Sequence, residues 1–179
     1  MQSVCVFCGS NAGDDPGYLA LARDLGALLA NRGLTLVYGG GRVGLMGALA
    51  DAALAAGGRV VGVIPQILLD KEVGHRGLTQ LHVVNTMAAR KQLMADLSDA
   101  FITLPGGIGT MDELFEAWTW TQLELHHKPC GLLNYNGYYD ALIRFADHAV
   151  DSGFLRPRHR AALIVDTDMA SLLERLTSR

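Results

Sequence analysis

Short apolar runs, many of them β-branched, alternate along this chain with longer stretches whose apolar positions recur at helical spacing. The pattern predicts strands over residues 4–7, 34–37, 59–64, 81–84, 100–104, 130–133 and 163–165. It predicts helices over 16–31, 43–56, 87–98, 110–125, 138–152 and 169–176. Local punctuation agrees: Asp15 and Pro16 suit the cap and first position of one helix, Gly33 follows its end, and Gly57-Gly58 stops the next. Residues 65–80 read as a long mixed loop, and loops of that length are often functional. Such alternation predicts an α/β fold, a parallel sheet with helices on both faces. No repeat, linker or low-complexity stretch interrupts it, so residues 1–179 read as a single domain of the usual ~100–200 residues.

Composition narrows the class. Half of the residues are hydrophobic and 18% are charged, enough for a full core under a surface poor in charge, which points to buried subunit interfaces. The formal net charge is −3, and apart from Arg156, Arg158 and Arg160 the basic residues are scattered, so nucleic acid is not an expected partner. Residues 1–8 lack a basic leader region and no 18-residue apolar run exists, so no membrane span is expected and the chain reads as cytoplasmic. Three cysteines fit a reducing compartment; Cys5 and Cys8, three apart on a strand, face opposite ways and read as structural. The six histidines show no metal-ligand spacing, and His126 and His127 lie near a helix end, where a cation suits the dipole.

Candidate chemistry lies in two glycine-rich segments, each leaving a strand and opening a helix: Gly39-Gly40-Gly41-Arg42-Val43-Gly44 and Gly106-Gly107-Ile108-Gly109-Thr110. Either can cradle a phosphate, because glycine admits close approach and a helix N-terminus carries about half a positive charge. The first contains the dinucleotide pattern Gly-x-Gly-x-x-Gly, but the following strand ends Val63-Ile64-Pro65 without the carboxylate that holds a ribose. A close-packed turn lining a mononucleotide pocket fits it better.

The second segment runs into Thr110-Met111-Asp112-Glu113, which reads equally as a capping box or as a carboxylate delivered to the crevice. Leu114, Ala117, Trp118, Thr121 and Leu125 form the apolar stripe of that helix, leaving Glu113, Glu116 and Trp120 on an adjoining face. Arg90 and Lys91 fall in the first turn of another helix, where cations oppose the dipole and call for an anionic partner. Glu72, in the long loop, is either a surface charge or a ligand contact.

Cys5 to Ser10, Val37 to Gly41, Gly44-Leu45-Met46-Gly47, Val63-Ile64-Pro65, Arg90-Lys91 and Pro105 to Glu113 together resemble the Lonely Guy family of cytokinin-activating phosphoribohydrolases, over nearly the whole chain. Members of that family have been mislabelled lysine decarboxylases, and nothing in this sequence suggests a pyridoxal phosphate lysine. The resemblance implies a Rossmann-like three-layer sandwich with a central, mostly parallel sheet, and a homodimer. It implies hydrolysis of nucleoside 5′-monophosphates, including AMP and N6-prenylated AMP, to free base and ribose 5-phosphate, without metal or other cofactor. It further implies a catalytic pair, Arg90 and Glu113, with nucleotide contacts at Glu72, Arg90, Lys91, Gly106, Gly107, Ile108, Gly109, Thr110, Met111, Asp112, Glu113 and Thr119. Trp118 and Trp120 lie on the helix that resembles the family's dimer interface. Met87-Ala88-Ala89-Arg90-Lys91 stands where many members read Met-His-Glu-Arg-Lys; hydrolysis is expected to survive, with base preference and efficiency the properties affected, and Asp112, where Glu is common, keeps the charge.

Cleavage of a ribosyl C–N bond passes through an oxocarbenium-like state. The glycine loop and Thr110 are expected to hold the phosphate, Glu113 to orient water and steady the sugar cation, and Arg90 to position the ribose phosphate or assist departure. The rival is a nucleotide or cofactor carrier or sensor on the same fold, against which a carboxylate beside an anion site argues.

Overall fold

The computed structural model describes residues 1–71 and 73–178. Seven strands form one sheet: β1 (Ser3–Phe7), β2 (Thr35–Tyr38), β3 (Val60–Pro65), β4 (Gln80–Val84), β5 (Ala100–Thr103), β6 (Cys130–Leu133) and β7 (Leu163–Asp166). Every pairing is parallel, in the order β4-β3-β2-β1-β5-β6-β7. The chain builds outward from β1 to β4, returns to lay β5 on the other side of β1, and builds outward again. Parallel strands need helical crossovers. These are α1 (Pro16–Asn31), α2 (Gly44–Ala55), α3 (Gln66–Leu69), α4 (Met87–Asp96), α5 (Ile108–Gln122), α6 (Asp140–Asp151) and α7 (Pro157–Ala162), and α8 (Met169–Thr177) follows the last strand.

Strand alternation divides the core in two. Val4, Val6, Leu36, Tyr38 and Ile102 face α1, α2 and α8, with Leu25, Leu49 and Leu172 among the buried partners. Cys5, Phe7, Val37, Val61 and Phe101 face α4, α5 and α6, meeting Met94, Leu114 and Ala146. Cys5 and Cys8 accordingly pack on opposite faces, both as free thiols. The central strands are buried on both sides, which is why they read as continuous apolar runs, whereas edge strand β4 is largely half-exposed.

Several expectations need correction. The 65–80 loop contains α3, and α7 was not foreseen; helices of four and six residues are too short to show a helical period. α5 begins at Ile108, capped by Gly107 without a side-chain bond, so Thr110 lies inside the first turn and no capping box forms. α5 ends at Gln122, where Glu124 takes φ +59° and the Glu124 and Leu125 amides bond back to Thr121 and Trp120, a Schellman closure. Leu125 therefore leaves the apolar stripe and is exposed.

Candidate active site

A parallel sheet binds ligands beyond the carboxyl ends of its strands, where the strand order reverses. Here that point lies between β1 and β5, and the loops leaving these strands are joined by the Gly9 amide, which donates to the Pro105 carbonyl at 3.1 Å. Gly9 O in turn accepts from the Leu45 amide at the start of α2, 3.1 Å away. Gly44, at φ +61°, lies so close to the Ser10 backbone that any Cβ would collide with it, so this glycine closes the turn rather than marking a dinucleotide site. Above these turns opens a cleft of about 500 Å³. Its lining includes Ser10, Asn11, Tyr18, Met46, Leu68, Arg90, the run from Pro105 to Thr110, Glu113 and Tyr138. The amides of the first turn of α5 have no partners within the helix, which makes this wall of the cleft an anion receptor.

The floor is an ion pair between two helices. Thr86 caps α4, its hydroxyl accepting from the Ala89 amide at 3.1 Å, and Arg90 follows on the inward side. Arg90 Nη1 lies 2.9 Å from Glu113 Oε1, and both side chains are 9% exposed. Arg90 Nε donates to the Val63 carbonyl at 3.1 Å and Nη2 to the Gly39 carbonyl at 3.3 Å, so the guanidinium is braced by the ends of two strands. A Cβ on Gly39 would overlap that guanidinium, which explains the first glycine of the upstream segment. Burial pushes the Glu113 carboxyl above its usual range, opposed by the Arg90 charge and reinforced by Asp112. Burial also pushes the Cys8 thiol well above its ordinary value.

The cleft thus gathers Arg90, Gly106, Gly107, Ile108, Gly109, Thr110 and Glu113. Lys91, Met111, Asp112 and Thr119 do not line it. Lys91 Nζ bridges Asp112 at 2.9 Å and Glu116 at 3.0 Å behind the ion pair. Met111 packs against the core on the α5 side of the sheet. Thr119 is exposed and borders a separate apolar groove with Phe115, Trp118 and Phe145. Glu72 lies outside the described residues. The anionic partners called for by the helix dipole of α4 are therefore Glu113 for Arg90 and the Asp112–Glu116 couple for Lys91.

Sequence reasoning did not single out Tyr18 or Tyr138, which also line the cleft. Their rings meet edge to face at 5.7 Å, and the Tyr138 hydroxyl donates to the Gly106 carbonyl at 2.7 Å, fixing the glycine turn. The usable signal was positional: Tyr138 closely follows the carboxyl end of β6, on the ligand-binding edge of the sheet. Among the described residues, no group of three or more His, Cys, Asp or Glu side chains is placed to hold a metal ion. Burial lowers the His126 pKa, with Lys128 adding to the effect. No helix among the described residues is long and apolar enough to cross a membrane.

A family model described as "Possible lysine decarboxylase" matches residues 46–176. The chain is 51% identical over 178 residues to the cytokinin riboside 5′-monophosphate phosphoribohydrolase of Rhodococcoides fascians, covering 99% of this chain and 90% of that protein. Over 175 residues it is 45% identical to the cytokinin riboside 5′-monophosphate phosphoribohydrolase LOG1 of Arabidopsis thaliana, 98% of this chain and 82% of that protein. The solved molybdenum cofactor carrier protein of Chlamydomonas reinhardtii superposes with a TM-score of 0.74 over 99% of both chains at 23% identity, a likeness that shows the fold alone. Fold and crevice define an α/β protein of Rossmann-like build. Within that class, the chain belongs to the Lonely Guy family, that of the cytokinin riboside 5′-monophosphate phosphoribohydrolases.

Proposed function

We propose that this protein hydrolyses the N-glycosidic bond of nucleoside 5′-monophosphates, AMP and N6-modified AMP such as isopentenyl-AMP, releasing free base and ribose 5-phosphate. The observation that carries the reading is the buried Arg90–Glu113 pair at the floor of a cleft whose wall is a helix N-terminus. A binder of phosphate alone gains nothing from a buried carboxylate there. The nucleotide phosphate sits on the amides of Gly107 to Thr110, which brings C1′ toward Glu113. Glu113 accepts a proton from water as the water oxygen bonds to C1′. The C1′–N bonding electrons leave with the base, which takes up a proton from solvent. The ionised carboxylate also steadies positive charge on the sugar. Arg90, held by two carbonyls, orients Glu113 and faces the ribose phosphate.

The same reading makes residues 1–179 one nucleotide-binding domain in a cytoplasmic homodimer. The exposed Phe115 of α5 and Phe145 of α6, beside the buried Trp118, offer the apolar face for a second copy, and Thr119 lies at its border.

The test is to incubate purified protein with AMP and with isopentenyl-AMP, without added metal, and to follow free base by chromatography. Glu113→Gln is expected to lower turnover by ~10²–10⁴-fold while nucleotide binding persists. Wild-type turnover in that variant sinks the mechanism. Binding without base release by the native protein makes it a carrier or sensor.

A further inference from the structure

Behind the Arg90–Glu113 pair lies a second charge cluster that turns away from the cleft. Lys91 Nζ is held between Asp112 Oδ2 at 2.9 Å and Glu116 Oε2 at 3.0 Å, and its side chain is 15% exposed. The two acids flank Glu113 along α5, one directly before it and one a turn later on the same side. A pocket of about 10 Å³ is lined by Lys91, Glu113 and Glu116 together with Phe7, Phe101 and Trp120. The Lys91 and Glu113 side chains are both largely buried, so the charges there are screened less than in bulk water. The charged and titratable groups acting on Glu113 are Arg90 and Lys91 from α4, Asp112 and Glu116 from its own helix, and the thiols of Cys5 in β1 and Cys8 just after it.

We propose that Lys91 is a positioning residue for Glu113: by bridging Asp112 and Glu116 it pins the start of α5 against α4 and offsets the two carboxylates beside Glu113. With Lys91 in place, the two carboxylates beside Glu113 share a cation of their own while Arg90 answers Glu113. Without it, Arg90 alone faces three carboxylates, and Glu113 holds its proton to higher pH. The electrostatic directions agree, since Asp112 and Glu116 raise the Glu113 pKa while Arg90 and Lys91 lower it. The kinetic consequence rests on the hydrolase reading above; the effect on the ionisation of Glu113 does not.

Lys91→Met, Lys91→Arg and Glu116→Gln would be compared in two ways. One is kcat and KM against pH with isopentenyl-AMP. The other is the carboxyl-carbon NMR titration of Glu113, assigned by its loss in Glu113→Gln. In Lys91→Met the titration and the acid limb of kcat are both expected to move alkaline by about one pH unit, about a tenfold loss of rate on the limb, with KM little changed. Lys91→Arg restores both, and Glu116→Gln moves both the opposite way. A raised KM with the limb in place means a lost phosphate contact and overturns the proposal, as does a titration that does not move. If the native protein releases no base yet the titration shifts, the hydrolase reading fails and the positioning role stands. If Lys91→Met does not fold, Asp112→Asn and Glu116→Gln carry the test with the opposite sign.

Discussion

At the scale of single residues, the site depends on what keeps Arg90 from moving. Its guanidinium has one carboxylate and two backbone carbonyls as acceptors, and the space it occupies exists because residue 39 has no side chain. Gly39→Ala is therefore expected to displace Arg90 and lower kcat/KM by about 10²-fold, the usual consequence of misplacing a catalytic group by about an ångström. Kinetics read beside a circular-dichroism melt would check this; full activity with an intact melt would remove Arg90 from the mechanism. The residue types were legible in the sequence: cations in a first helical turn and a carboxylate just past a glycine loop both ask for partners. Their pairing was not, because it joins two helices brought together by the sheet. The capping-box alternative failed for a local reason. The helix starts before Thr110, and Glu113 turns inward to Arg90 instead of back to the helix end.

Elements are held by their ends. The Asp166 carboxylate closes β7 onto α8, accepting from the Thr167 amide and Ser171 hydroxyl at 2.8 Å and from Arg175 at 2.9 Å. Although burial works the other way, these bonds lower its pKa to about 2. A carboxylate with a depressed folded pKa stabilises the protein above its unfolded value of ~3.9, and that stability disappears as pH falls toward the folded value. Asp166→Asn is thus expected to lower the melting temperature at pH 7 and to narrow its difference from the native protein as pH approaches 2. Equal differences at both pH values would mean that Asp166 acts through shape alone. Helix and strand positions followed from periodicity and glycine punctuation, and α1, capped by Asp15 with Pro16 first, lies where those signals place it. α3 and α7 escaped because a helix of one or two turns has no period to read.

For the whole molecule, alternation in the sequence yields the parallel sheet and its two covering layers, but not the strand order. That order makes the crevice, since only the return of β5 to the side of β1 brings the loop after residue 8 beside the loop after residue 104. The aromatic wall from Tyr18 and Tyr138 was unreadable for the same reason. At this scale the exposed apolar face over α5 and α6 is the proposed contact between copies. Phe145→Glu, which puts a charge into the proposed contact, is expected to halve the mass seen by light scattering while leaving the monomer folded. An unchanged dimer would move the interface elsewhere.

The Gly9–Pro105 bridge sets a timetable for synthesis. When β4 leaves the ribosome, β1 to β4 can already pair, yet β1 still presents a bare side to solvent and waits for a partner almost a hundred residues downstream, Val4 opposite Ala100. Such long-range closure is slow, and an unpaired strand edge is sticky. A nascent chain stalled before β5 therefore exposes an apolar strand to its neighbours, and the cleft is complete only once Tyr138 has emerged.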